Sequence, residues 1–135
     1  MHIRRRVFSA LVALSAYIMI PGFATAGNVT NGGFETGDFT GWTLSGNTDF
    51  VGVTTGIAHS GDYAAYFGSD GSLGFLSQTL ATTAGTSYEL SFFLASDGQL
   101  PSEFQVTFGG TTLSQNDLAL SSYTGESLIL TATSS

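Results

Sequence analysis

The chain contains no cysteine. Disulfides, thiol chemistry, cysteine-bound zinc and iron–sulfur clusters are therefore excluded, and the core must hold the fold. Basic side chains are nearly as scarce. Arg4, Arg5 and Arg6 are the only three in 135 residues, and no Lys or Arg follows them. All ten carboxylates come later: Glu35, Asp38, Asp49, Asp62, Asp70, Glu89, Asp97, Glu103, Asp117 and Glu126. A surface of that sign repels nucleic acid and anionic lipid, both of which are held through Lys and Arg. A lysine-dependent phosphate loop is excluded after residue 6, and neither G-x-G-x-x-G nor G-x-S-x-G spacing occurs. Long apolar runs are missing too. The longest mostly apolar stretch, residues 7–20, has fourteen residues, against about 20 for a membrane-spanning helix.

What is present begins with an order of segments. The basic MHIRRR precedes the apolar VFSALVALSAYIMI, and the small residues Ala24-Thr25-Ala26 follow. That order reads as a cleavable signal-peptide helix over residues 1–26, with an uncleaved anchor as the weaker reading. Residues 27–135 then form one domain, exported to the cell surface or secreted, large enough for one core.

After the leader no helical periodicity is found. Short alternating runs recur between Gly, Ser, Asn and Asp, as in an all-β sandwich or barrel. Strands are expected over 39–44, 49–55, 62–68, 75–81, 87–95, 104–108, 111–114 and 126–133. In the run at 87–95, Tyr88, Leu90, Phe92 and Leu94 should point inward, leaving Phe93 out of phase on the other face. Tyr66 is likewise out of phase with Tyr63 and Phe67. Gly109-Gly110 is the expected two-residue hairpin turn, because such turns need positive φ. Two antiparallel sheets packed face to face, as in a jelly roll, accommodate these strands.

Four pieces carry a resemblance: NGGFETGDFTGWT, AHSGDYAAYFG, LSQTL and YELSFFLA. In this order they resemble the carbohydrate-binding modules of the galactose-binding-like jelly-roll superfamily, of the kinds that accompany bacterial xylanases and glucanases. A similar pattern occurs in small exported bacterial proteins with a carboxy-terminal sorting signal. The resemblance covers about residues 31–113. It implies that N-G-G-F-E begins the first strand, with Phe34 as a core anchor and Glu35 contributing to a structural calcium site. It also implies a final strand of the type L-D-D-V, whose Asp completes that site. No such segment precedes Ser135. Two expectations stay open: a chain truncated at its carboxy terminus, or a member that closes its sheet differently and leaves an edge exposed.

Candidate sites follow. Calcium takes about six to eight hard oxygen ligands. The candidates are Glu35, a carbonyl of Asn31, the turn at Ser60, and Asp62, with Asp38 nearby. A sugar site pairs an aromatic face with amides or carboxylates that bond hydroxyls. Trp42, Tyr66, Phe93 and Tyr123 are the aromatic candidates, and Gln78 and Gln105 the amides expected to share one face with Tyr66 and Phe93. Catalysis has little support. His59-Ser60-Gly61-Asp62 holds the letters of a triad, but near neighbours on one turn do not converge into a relay. The expected function is a non-catalytic exported β-sandwich that binds polysaccharide or a cell-surface glycan. The alternatives are a structural or adhesive surface protein without a sugar site and, third, a glycoside hydrolase.

Overall fold

The computed structural model of the protein describes residues 10–13 and 29–133. Among the described residues it is all-β and contains no helix. The strands are β1 (Ala10–Ala13), β2 (Thr43–Gly46), β3 (Val51–Thr55), β4 (Tyr63–Phe67), β5 (Gly74–Ser77), β6 (Ser87–Ser96), β7 (Glu103–Phe108), β8 (Thr111–Asn116) and β9 (Ser121–Thr131). Each of the eight expected segments overlaps a strand, although the 39–44 run contributes only Thr43 and Leu44 to β2 and the 75–81 run only Phe75–Ser77 to β5. The ninth, β1, lies inside the apolar leader. Where the structure describes the expected signal-peptide helix, it is a strand. The Arg4–Arg6 run and the Ala24-Thr25-Ala26 site lie outside the described residues.

The physical reason for β1 lies in its neighbours. The largest sheet has the order β3-β4-β1-β6-β9, antiparallel at every step. β1 pairs with β6 from Ala10↔Ser96 to Ala13↔Phe93, and with β4 through Leu11↔Tyr66 and Val12↔Ala65. A strand there completes the ladders of two edges at once, which a helix at the same place would leave unpaired. β2 pairs with β5, and β7 with β8. The β7–β8 hairpin turns through Gly109-Gly110 at φ 52° and 88°, the positive values that a two-residue turn requires.

Alternation places the core. On β6, Tyr88, Leu90, Phe92 and Leu94 are buried, while Glu89, Ser91, Phe93 and Ala95 between them are only half-buried. Leu90, Phe92 and Leu94 join Ala65 of β4 and Leu128 of β9 in one apolar cluster. Phe34, Phe104, Phe39, Trp42, Leu76, Val106, Phe108 and Leu113 close over it. The arrangement is therefore β-sandwich-like. The five-stranded sheet lies on one side. The β2–β5 and β7–β8 pairs and the segment 31–42 lie on the other. Each large side chain so buried contributes about 1.5–3 kcal/mol relative to exposure, and Phe92→Ala is expected to cost about 3–5 kcal/mol.

The segment NGGFETGDFTGW is a series of turns rather than the first strand that the resemblance implies. Asn31 organises it. Its Nδ2 donates to Thr36 Oγ1 at 2.7 Å, to the Asp38 carbonyl at 3.0 Å and to the Thr40 carbonyl at 3.1 Å. Side chain-to-backbone bonds of this kind compete with a strand ladder, so the segment turns. Phe34 sits in the left-handed region at φ 61° yet is fully buried. Its ring meets Phe39 edge-on at 5.8 Å and Trp42 at 5.8 Å. This aromatic packing holds a backbone conformation that a bulky residue otherwise avoids.

Candidate outer-face groove

The same registers set the second face of the five-stranded sheet. Across β6 and β9, Glu89 faces Ile129, Ser91 faces Ser127 and Phe93 faces Gly125. Across β1, Tyr66 and Ala95 share one partner, Leu11. Residues paired this way lie on one side of the pleat. Tyr66 and Phe93 therefore occupy the same outer face. Tyr66 lies over its β3 partner Gly52. A Cβ at that position would come within 2.6 Å of the tyrosine hydroxyl, so only glycine leaves the ring its place.

The loop between β3 and β4 folds over this face. It carries His59, whose ring stacks on Phe93 with centroids 3.6 Å apart and planes at 12°. The ring of Tyr123, from β9, meets the same imidazole edge-on at 5.4 Å. Tyr123 Oη donates to the Ile57 carbonyl at 2.7 Å, fastening the loop to β9. Burial pushes the Tyr123 phenol above its ordinary pKa, so it remains the protonated donor through the neutral range. Beside this cluster opens a groove of about 500 Å³, lined by His59, Ser60, Ser91, Phe93, Gly125 and Ser127 with Glu126. The absence of a side chain at Gly125 leaves the edge of Phe93 uncovered on that flank; a Cβ there would lie 3.5 Å from the ring. The groove combines ring edges with hydroxyls. That combination suits a polar, ring-shaped ligand.

The other expected sugar-site residues lie elsewhere. Trp42 is half-buried in the core, and its Nε1 donates to the Asn31 carbonyl at 3.1 Å. Gln78 is committed to the fold. Its Oε1 accepts from the Thr30 amide at 2.7 Å, and its Nε2 donates to the carbonyls of Thr30 at 3.0 Å and Gly41 at 2.7 Å. Gln105 is exposed on β7, between the inward Phe104 and Val106, and so faces away from the core on the opposite layer. The quartet Tyr66, Phe93, Gln78 and Gln105 does not assemble. Phase along a strand gives the face of a residue but not the layer that its strand enters.

The calcium candidates are placed as follows. The Glu35 carboxylate accepts from the Asp62 amide at 3.1 and 3.3 Å and from the Tyr63 amide at 3.4 Å. The Asn31 carbonyl receives the Phe34 amide at 3.1 Å and the Trp42 indole. Ser60 lines the groove on the outer face. Among the described residues no group of three or more His, Cys, Asp or Glu could hold a metal ion. The Glu35 carboxylate caps the start of β4 through the Asp62 and Tyr63 amides. Asp38 is turned inward to its own loop. Hydrogen bonds from Thr40 and Thr36 hold its carboxyl below the usual aspartate value.

His59, Ser60 and Asp62 form no relay. The imidazole stacks on Phe93 and meets Tyr123 edge-on, and the Asp62 backbone amide is bound to Glu35. His59, stacked on Phe93 at the groove, is not among the sugar-site candidates read from the sequence. It sits on a loop, where periodicity carries no information. Comparison with protein-family models, with curated proteins and with solved structures returns no match.

Proposed function

We propose that this chain is an exported, non-catalytic domain of the galactose-binding-like jelly-roll type, and that its outer groove binds a polysaccharide or cell-surface glycan. The leader, residues 1–26, directs export and is removed. The supporting observation is the cluster of His59, Phe93 and Tyr123 beside an open groove that also carries Ser60, Ser91 and Ser127. The rings give the groove an apolar wall for the apolar side of a pyranose, and the hydroxyls bond its rim. An acidic surface without Lys or Arg beyond residue 6 favours neutral glycans over sulfated or phosphorylated ones. Affinity electrophoresis of the folded chain against a panel of neutral polysaccharides tests the reading. Retardation that disappears in His59→Ala and Phe93→Ala supports it. Unretarded migration on every polysaccharide ends it.

A second reading has its own observation. Ile129 is 67% exposed and Leu120 78% exposed. Apolar side chains left in water are what a structural or adhesive surface protein would present to neighbours. Self-association without glycan binding favours this reading.

A further inference from the structure

The most unusual feature of the fold is the origin of its central strand. β1 stands in the middle of the five-stranded sheet, yet it belongs to the apolar leader. We infer that the place between β4 and β6 is a strand-binding slot. Once the leader is removed, as proposed above, it accepts an extended, uncharged segment rich in small and aliphatic residues from another polypeptide.

The backbone supplies the first argument. β4 and β6 are both antiparallel to β1, so they run parallel to each other. Without β1 they stand two strand spacings apart, about 9–10 Å. Two facing rows of N–H and C=O groups are then left without ladder partners. They lie too far apart to bond each other, and open edges of this kind pair readily with an incoming strand. Both rows accept one antiparallel strand, which is the recognition mode of strand addition.

Burial supplies the second. The slot is walled by core, not by surface. Ala64 and Ala65 on β4 are fully buried, as are Phe92 and Leu94 on β6. Vacating the slot exposes part of this core to water, which drives its reoccupation. Register then sets the chemistry of the occupant. The donor position held here by Val12 pairs with Ala65 and Leu94, both members of the apolar cluster. A charge of either sign there is set among apolar core residues, and an acidic one also has no Lys or Arg partner among residues 29–133, so it is strongly disfavoured. The position held by Leu11 pairs with Tyr66 and Ala95 on the outer face and tolerates a small polar residue.

The test uses the full chain carrying a specific protease site between residues 26 and 27, cut after folding and separated from the released leader by gel filtration in mild denaturant. The probe is a fluorescein-labelled peptide of residues 8–15, read by anisotropy. The cut chain should bind the peptide and the uncut chain should not, because its own strand fills the slot. A Val12→Asp peptide should bind roughly 100-fold more weakly, and a Leu11→Ser peptide within about threefold of the parent. Equal binding to cut and uncut chain, equal binding of the two variant peptides, or no binding to the cut chain would each overturn the inference. So would dimerisation of the cut chain in place of peptide binding, which would assign the slot to a second copy. A second measurement does not depend on the cut chain staying folded. In the uncut chain, Val12→Pro should speed amide hydrogen exchange over residues 64–66 and 93–96 relative to the parent. Unchanged exchange there would show that β1 does not pair, and the slot would be discarded.

Discussion

The imidazole of His59 lies flat on the ring of Phe93, with centroids 3.6 Å apart and planes within 12° of parallel. One ring comes from a loop and the other from the middle of β6, so the stack joins the loop to the sheet.

Removal of either ring should therefore read differently. His59 is exposed, and His59→Ala is expected to cost no more than about 1 kcal/mol, the size of an aromatic pair. Phe93 is half-buried, and Phe93→Ala is expected to cost about 1–3 kcal/mol. Both should weaken glycan retardation by about tenfold or more, a loss of about 1.4 kcal/mol. Urea unfolding and affinity electrophoresis on the same preparations separate the two effects.

Gln78 should show the reverse pattern. Its amide joins Thr30 and Gly41 through three hydrogen bonds. Gln78→Ala leaves those backbone groups to water and is expected to lower stability by about 0.5–1.5 kcal/mol. Glycan retardation, measured below the midpoint of unfolding, should stay at the level of the parent chain.

Gly61→Ala tests the cap that Glu35 places on β4. Gly61 has φ +73°, and a Cβ there would collide with the Glu35 carboxylate. The substitution strains the backbone and pushes Glu35 off the Asp62 amide, for an expected loss of about 1–3 kcal/mol. The same carboxylate allows a test for a bound metal. With Glu35 acting as a cap, the melting temperature should be the same in millimolar calcium and in chelator. A calcium-dependent rise would return Glu35 to a metal site, since a native-state ligand must stabilise.

Asp38 supplies the pH dependence. Its carboxyl is held below its ordinary value of 3.8 by hydrogen bonds from Thr40 and Thr36. A folded-state pKa below the unfolded one gives stability that is present above 3.8 and lost as pH falls through the lowered value. Asp38→Asn lacks this contribution from the start. Its melting curve should lie slightly below that of the parent near pH 6 and converge with it toward about pH 2. The offset is small because the group is fully exposed to solvent. Parallel curves across that range would remove Asp38 from the account.

Local patterning made much of the fold readable. The alternation in SYELSFFLAS places Tyr88, Leu90, Phe92 and Leu94 inside and Phe93 outside, as β6 has them. The Gly109-Gly110 dipeptide marks a turn by conformational freedom alone. What failed depended on contacts distant in sequence. Nothing in LSQTL says that Gln78 will reach back to Thr30 and Gly41. Nothing in EFQVTF says which layer β7 joins. The segment 31–42 reads as the start of a strand until the side chain of Asn31 is seen to bridge three points on its own loop. β1 was hidden for a different reason. An apolar run of that length suits a leader helix as well as a strand, and only the two open edges beside it decide.

The bond from Tyr123 to Ile57 affects how any guest would be received. By tying the 56–62 segment to β9, it sets the imidazole over Phe93 before a guest arrives. Little freedom then remains to be lost on complex formation. A Tyr123→Phe variant, with the clasp cut but the ring kept, should release its guest faster while meeting it at much the same rate.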